Sequence, residues 1–126
     1  MVYFWVGLGG ALGSMARLWV GARITMLTGI RFPWGTILIN LFGSLVIGFF
    51  ATLTRDRLPL PIGARAFVMV GLCGGFTTFS AFSLQTLELA RAGRLLDAGA
   101  NVMLSVTLCL IAVAIGHWLA ALFGRA

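Results

Sequence analysis

Thirteen residues in the middle of an apolar chain carry most of its usable chemistry. The run GLCGGFTTFSAFS (residues 71–83) combines glycines, four hydroxyls and three phenylalanines. Phe76, Phe79 and Phe82 recur every three residues, and so do Thr77, Ser80 and Ser83. On a helix this spacing sets an aromatic face beside a hydroxyl face. The rim of a phenyl ring is electropositive, so ring edges can face an anion without the full charge that would hold it too tightly to leave. Asn40, in another apolar segment, adds amide hydrogens to the same chemistry. Phenylalanines at this spacing also serve plain core packing, and the residues alone leave both readings open.

The elements that must position these groups are long and apolar. Of the 126 residues 60% are hydrophobic and 10% charged, and the mean hydropathy is +1.06, the composition of an integral membrane protein. Four stretches, 3–27, 34–53, 62–89 and 96–123, each meet the ~20 residues that cross a bilayer as a helix. Short turn-like links rich in Gly, Pro and Arg join them, which predicts one all-α, four-helix transmembrane domain over residues 1–126. The first stretch has no basic leader and no clear cleavage site, so it reads as a retained helix.

The third segment is too long for one plain span. Counted to Arg91 it holds about 30 residues, ~45 Å of helix against a hydrocarbon core of ~30 Å. Gly71, Gly74 and Gly75 followed by Thr77 and Thr78 are its weakest helical run, which predicts an unwound break near the membrane centre. A break frees backbone carbonyls and amides that need partners in lipid, and broken helices of transport proteins use such groups to hold ions. A kink satisfied by its own Thr and Ser side chains is the simpler alternative.

Polar residues elsewhere in the spans fall in stripes. Asn40, Ser44 and Gly48 recur every four residues, as do Asn101, Ser105 and Cys109. Small residues in such stripes let helices pack closely, as Gly9 and Gly13 can in the first span. Arg17 lies well inside that span, where it either snorkels or faces water, and either way sets a fixed positive charge near an aqueous mouth. Cys73 and Cys109 both sit within spans and read as small packing residues, with no disulfide and no metal cluster expected. His117 beside Trp118 reads as interfacial, and Glu88 as a partner of Arg91.

The net charge of +6 comes from nine arginines with no lysine, set against Asp56, Glu88 and Asp97. Scattered among helix ends, the arginines do not form the basic stripe of a nucleic-acid binder. Four spans put Arg55, Arg57, Arg65 and Arg125 on one side and Arg23, Arg31, Arg91 and Arg94 on the other. So even a balance leaves orientation nearly undecided, which is compatible with two copies inserted antiparallel.

The run GGFTTFSAFS (74–83) closely resembles the G-G-x-[ST]-T-F-S-T-F-S motif of the CrcB/Fluc family of fluoride channels. PWGTILINLFG (33–43) is similar to that family's P-x-G-T-x-x-x-N-x-x-G, and the glycines and arginine of 9–17 match as well, so the likeness covers essentially the whole chain. The resemblance implies a dual-topology antiparallel homodimer in the bacterial inner membrane, with two pores for passive fluoride export. It implies that Phe79 and Phe82 are pore rings, Asn40 the pore amide, Ser80, Ser83 and Ser105 polar wall, and Arg17 a vestibule residue. It also implies a structural Na+ at the dimer axis, held by the carbonyls of Gly74 and Thr77. Ala81, Gln85 and Asn101 depart from the family pattern, which bears on the polar ligands. Two alternatives are a small dual-topology multidrug exporter, which would need an embedded carboxylate, and a non-transporting assembly subunit. An enzyme is not expected, since no nucleophile, base and orienting group form a set.

Overall fold

In the computed structural model, residues 1–56 and 58–123 are described, the side chain of Asp56 excepted. Arg57 and Arg125 of the charge balance lie outside the described residues. The described chain is helical throughout: α1 (Val2–Thr28), α2 (Trp34–Asp56), a third segment in several pieces, and α6 (Leu95–Leu122). α1 stops at Gly29, whose φ of 79° suits glycine and lets its N–H return to the Thr25 carbonyl at 2.8 Å. Gly93, at φ 77°, makes the corresponding turn before α6. Pro33 precedes α2, and α2 runs past Leu53 through a polar last turn to Asp56.

Trp34–Arg55, Ile62–Arg91 and Leu95–Leu122 are each long and apolar enough to cross a membrane. α1, with 27 residues, is long enough to span, but its glycines, Ser14, Arg17 and Arg23 dilute its hydropathy. The protein is a multi-pass membrane protein.

The third segment breaks midway, as its length requires, but the break falls beyond the glycines. α3 (Ile62–Arg65) leads into a π-helical stretch, Ala66–Cys73, and then α4 (Gly74–Phe76). Thr77 and Thr78 are extended, at φ −82° and −152°, and α5 (Phe79–Arg91) resumes the helix. Gly71 and Gly75 stay helical because their missing side chains serve packing. A Cβ on Gly71 would stand 2.9 Å from Gly9 Cα, and one on Gly75 would stand 2.6 Å from the Gly10 carbonyl oxygen. α1 answers with glycines of its own, since a Cβ on Gly13 would reach within 2.8 Å of Phe76 N. The first span therefore lies backbone to backbone against the first half of the third, the close approach that small residues permit in lipid.

α2 and α6 form the second close pair. A Cβ on Gly48 would collide with the Val113 carbonyl oxygen, and one on Gly116 with that of Leu45. Thr52 bolts the same seam, its Oγ1 lying 3.0 Å from the Gly48 carbonyl oxygen and 2.7 Å from His117 Nδ1. His117 thus has a specific helix-joining contact besides its exposed position. Glu88 does not form the expected bridge to Arg91. Instead Arg94 Nε donates to Asp97 at 2.8 Å, while Arg94 Nη1 donates to the Arg31 carbonyl at 2.7 Å and ties the two loops at that end.

Substituting Gly116→Val should push α6 off α2 and lower stability in detergent by about 1–3 kcal/mol, the usual scale of overpacking. A thermal unfolding midpoint equal to wild type would show that the seam is not tightly packed.

Candidate functional site

At the break, the hydrogen bonds change partners residue by residue. Thr77 N–H still closes the helix on the Cys73 carbonyl at 2.9 Å, and Thr77 Oγ1 donates to the same oxygen at 2.9 Å. The next N–H, that of Thr78, turns away from the helix and donates to Asn40 Oδ1 at 2.8 Å. Asn40 Nδ2 in turn donates to the Thr78 carbonyl at 3.1 Å. The two bonds fix which end of the amide is oxygen. One side chain from α2 thereby replaces the helical acceptor of the Thr78 N–H and adds a second donor to the Thr78 carbonyl, which as the N-cap of α5 also opens that helix, and only an amide carries donor and acceptor at that spacing. Thr78 Oγ1 then caps α5 by accepting from Ala81 N–H at 3.2 Å.

The carbonyls of Gly74, Gly75, Phe76 and Thr77 all lose their helical donors at the break, and two of those donors are bonded elsewhere. Thr78 N–H would have served Gly74 O, and Ala81 N–H would have served Thr77 O. Arg17 Nη1 reaches Thr77 O at 3.5 Å, and Ser14 Oγ donates to Gly75 O at 3.4 Å. A carbonyl has two lone pairs, so Thr77 O keeps acceptor capacity beyond Arg17. Carbonyl oxygens at an unwound turn are the donors a hard cation takes. Among the described residues no cluster of three or more His, Cys, Asp or Glu offers another metal site.

Beside the break lies a cavity of about 330 Å³, walled by Asn40, Phe79, Phe82 and Ser105 among others. The Phe79 and Phe82 rings stand 5.3 Å apart between centroids, tilted by 49°. Phe82 is buried at 8% exposure, whereas Phe79 is 77% exposed, so the ring pair runs from the interior of the chain to its outer surface. Gly43 makes room here, since a Cβ on it would strike Thr77 Cγ2. Asn40 contributes one amide hydrogen not used on Thr78, the donor suited to an anion in this otherwise apolar space.

Four of the expected pore residues therefore share one space: Asn40, Phe79, Phe82 and Ser105. Ser80 and Ser83 lie elsewhere, on the exposed face of α5. Ser80 Oγ pairs with Thr78 Oγ1 at 3.2 Å, and Ser83 Oγ donates to the Phe79 carbonyl at 2.9 Å. Arg17 lines a second cavity of about 540 Å³ with Ser14, Thr36 and Gln85, and Thr78 borders both cavities. Gln85 Oε1 is buried there without a partner.

Sequence reasoning missed the role of Thr86. Asn101, only 1% exposed, donates from Nδ2 to Thr86 Oγ1 at 2.8 Å, and Ser105 Oγ donates to Asn101 Oδ1 at 3.4 Å. This chain sets the height of Ser105 in the cavity wall and joins α5 to α6. The stripe Asn101–Ser105 was visible, but nothing in the local pattern of α5 marks Thr86.

A bundle of apolar helices with one broken span, whose freed backbone is bracketed by an amide next to a largely apolar cavity with a few polar groups, is the build of a membrane ion-transport protein. Residues 4–117 match the profile of the family described as CrcB-like protein, Camphor Resistance (CrcB), and the chain belongs to that family. It is 56% identical to a protein of Methylocella silvestris over 119 residues, covering 93% of this chain and 91% of that one, and that relative is named fluoride-specific ion channel FluC. Proteins of the same name from Rhodospirillum rubrum and Paramagnetospirillum magneticum are 56% and 50% identical, the first covering 93% of this chain and 92% of its own, the second 99% of each.

Replacing Asn40 with Ala would leave the Thr78 N–H without its acceptor, at a cost of about 1–3 kcal/mol for a buried unpaired group, while the Thr78 carbonyl keeps its place at the start of α5. Faster hydrogen exchange at Thr78, with the helix α2 amides unchanged, is the expected signature. Unaltered protection there would show that Asn40 does not hold the break.

Proposed function

We propose that this protein is a passive, fluoride-selective channel that exports cytoplasmic fluoride across the bacterial inner membrane. The observation that carries the proposal is the cavity that brings Asn40 and the Phe79–Phe82 pair together at the helix break, in a chain half or more identical to proteins named as fluoride channels. Ring edges and one amide hydrogen attract a small anion without a full charge, which favours passage over capture. Ser105 supplies polar wall, and Ser80 and Ser83, on the outward face of α5, extend it where a neighbouring subunit packs. Arg17, in the adjoining cavity, raises the local anion concentration at the mouth.

The working unit we propose is an antiparallel homodimer with two pores along the interface. The exposed Phe79 supports this, because a ring pair that runs out to the surface of one chain needs a second surface to close a pore. The carbonyls of Gly74 and Thr77 fit a structural Na+ at the axis of that dimer. One chain offers two such oxygens, so a second copy would complete the shell. Bound there, the ion would neutralise carbonyl dipoles that have lost their helical donors. The transport step itself makes and breaks no covalent bond, and the gradient alone drives it. Glu88, near the end of α5, is placed poorly for the embedded carboxylate of a proton-coupled drug exporter.

Substituting Phe82→Ile should lower fluoride efflux from proteoliposomes roughly tenfold, since aromatic edge interactions are worth about 0.5–1.5 kcal/mol and 1.4 kcal/mol is tenfold in rate. Asn40→Asp, which sets a negative charge where the anion meets its donor, should lower it at least as far. Wild-type rates in both folded variants would remove these residues from the pore.

A further inference from the structure

Thr78 borders both the cavity of Asn40 and the ring pair and the cavity of Arg17, and that second cavity continues into a third. The third, about 350 Å³, is walled by the loop from α1 to α2, the loop from α5 to α6, and Glu88. It shares Thr25, Pro33 and Gln85 with the second, so these three residues form the neck between them. The walls keep helical register. Ser14, Arg17, Gly21 and Thr25 on α1, and Thr78, Ala81, Gln85, Glu88 and Ala92 along α5 and its caps, recur at spacings of three and four. One face of each helix therefore stays with the groove from the break to the loops. α5 holds 13 residues, ~20 Å of helix, which exceeds half of the ~30 Å hydrocarbon core. The groove thus runs from the middle of the membrane to its surface.

The composition of these walls is unlike that of the groove that α1 and α2 form with α6 and Phe76, where every lining side chain is apolar. Here Arg17, Thr36 and Gln85 line the inner part, and Arg31, Glu88 and Arg94 the outer. At the neck, Gln85 Oε1 is buried without a partner, and a buried acceptor of this kind is ordinarily met by water. We propose that this groove is an aqueous antechamber, the route by which the anion passes between solution at the loop end and the Asn40 cavity, with Gln85 and Thr25 at its neck. Among the described residues Glu88 is the one carboxylate in its walls, set against Arg17, Arg31 and Arg94, of which only Arg94 is paired with an acid. That balance favours anions over cations along the groove. Passage of the anion rests on the channel reading, whereas water in the groove does not.

The test introduces a cysteine into the groove and follows its reaction with charged methanethiosulfonates, which require a water-exposed thiolate. The protein sulfur forms a disulfide with the reagent's thiol half, and methanesulfinate leaves. Gln85→Cys and Thr25→Cys are compared in detergent with Leu38→Cys, which lies on the apolar groove at 40% exposure, and each is corrected for labelling of the wild-type protein. Labelling of both groove cysteines, followed by intact mass, should be at least about tenfold faster than that of Leu38→Cys. The sulfonate reagent should outpace the trimethylammonium reagent once each is normalised to a free thiol in solution. Full labelling of Gln85→Cys should slow fluoride efflux from proteoliposomes by about tenfold or more, because the adduct fills the neck. Groove cysteines that react no faster than Leu38→Cys would overturn the antechamber. Equal normalised rates for the two reagents would overturn its preference for anions, and unchanged efflux from fully labelled Gln85→Cys would overturn passage through the neck. Absence of efflux from the unlabelled wild-type protein would instead count against the channel reading, leaving the labelling rates to decide the groove.

Discussion

Everything at the functional centre depends on one residue's worth of backbone that is not helical. Thr78 presents its N–H and its carbonyl sideways, in a chain where water is scarce and an unpaired backbone group costs several kcal/mol. Asn40 answers both groups with a single amide, at 2.8 and 3.1 Å. That pairing permits the break, and the break releases the Gly74 and Thr77 carbonyls, starts α5 in a new direction, and turns Phe79 and Phe82 toward the cavity. A glutamine would set the amide one methylene too far, and a serine could not answer both groups at once.

The rest of the bundle keeps that centre in register. Glycines on α1 face glycines of the third segment, which holds the half before the break firmly against a neighbour. Gly48 and Gly116 do the same for α2 and α6, with Thr52 and His117 bonded across the seam. The half after the break is fixed differently, by the Asn101–Thr86 hydrogen bond to α6. Two kinds of attachment flank the break: close backbone packing before it, and side-chain hydrogen bonding after it. Asn40 therefore spans a gap whose edges are already set.

Much of this was legible in the residues. Hydropathy located the helices to within a few residues, because lipid imposes a length on them. The three-residue spacing of Phe79 and Phe82 placed both rings on one face, and the four-residue stripe placed Ser105 beside Asn101. Other parts were hidden because they are tertiary. The run from Gly71 to Thr78 marks the break, but not where in the run it falls: the glycines remain helical, since the space they leave is filled by α1, and Thr77 and Thr78 carry the extended backbone. Asn40 was singled out as an anion donor, and its two bonds to backbone could not be read without knowing that Thr78 lies opposite. Thr86 and Thr52 carry no local mark at all, because each acquires its role from a residue on another helix.

We propose that this chain alone forms a path for fluoride. The most direct test is fluoride efflux, read with a fluoride electrode, from liposomes containing only the purified protein, beside matched liposomes loaded with chloride. Rapid fluoride release with little chloride release is the predicted result. A folded, membrane-inserted protein that releases neither ion, or both at the same rate, would contradict it.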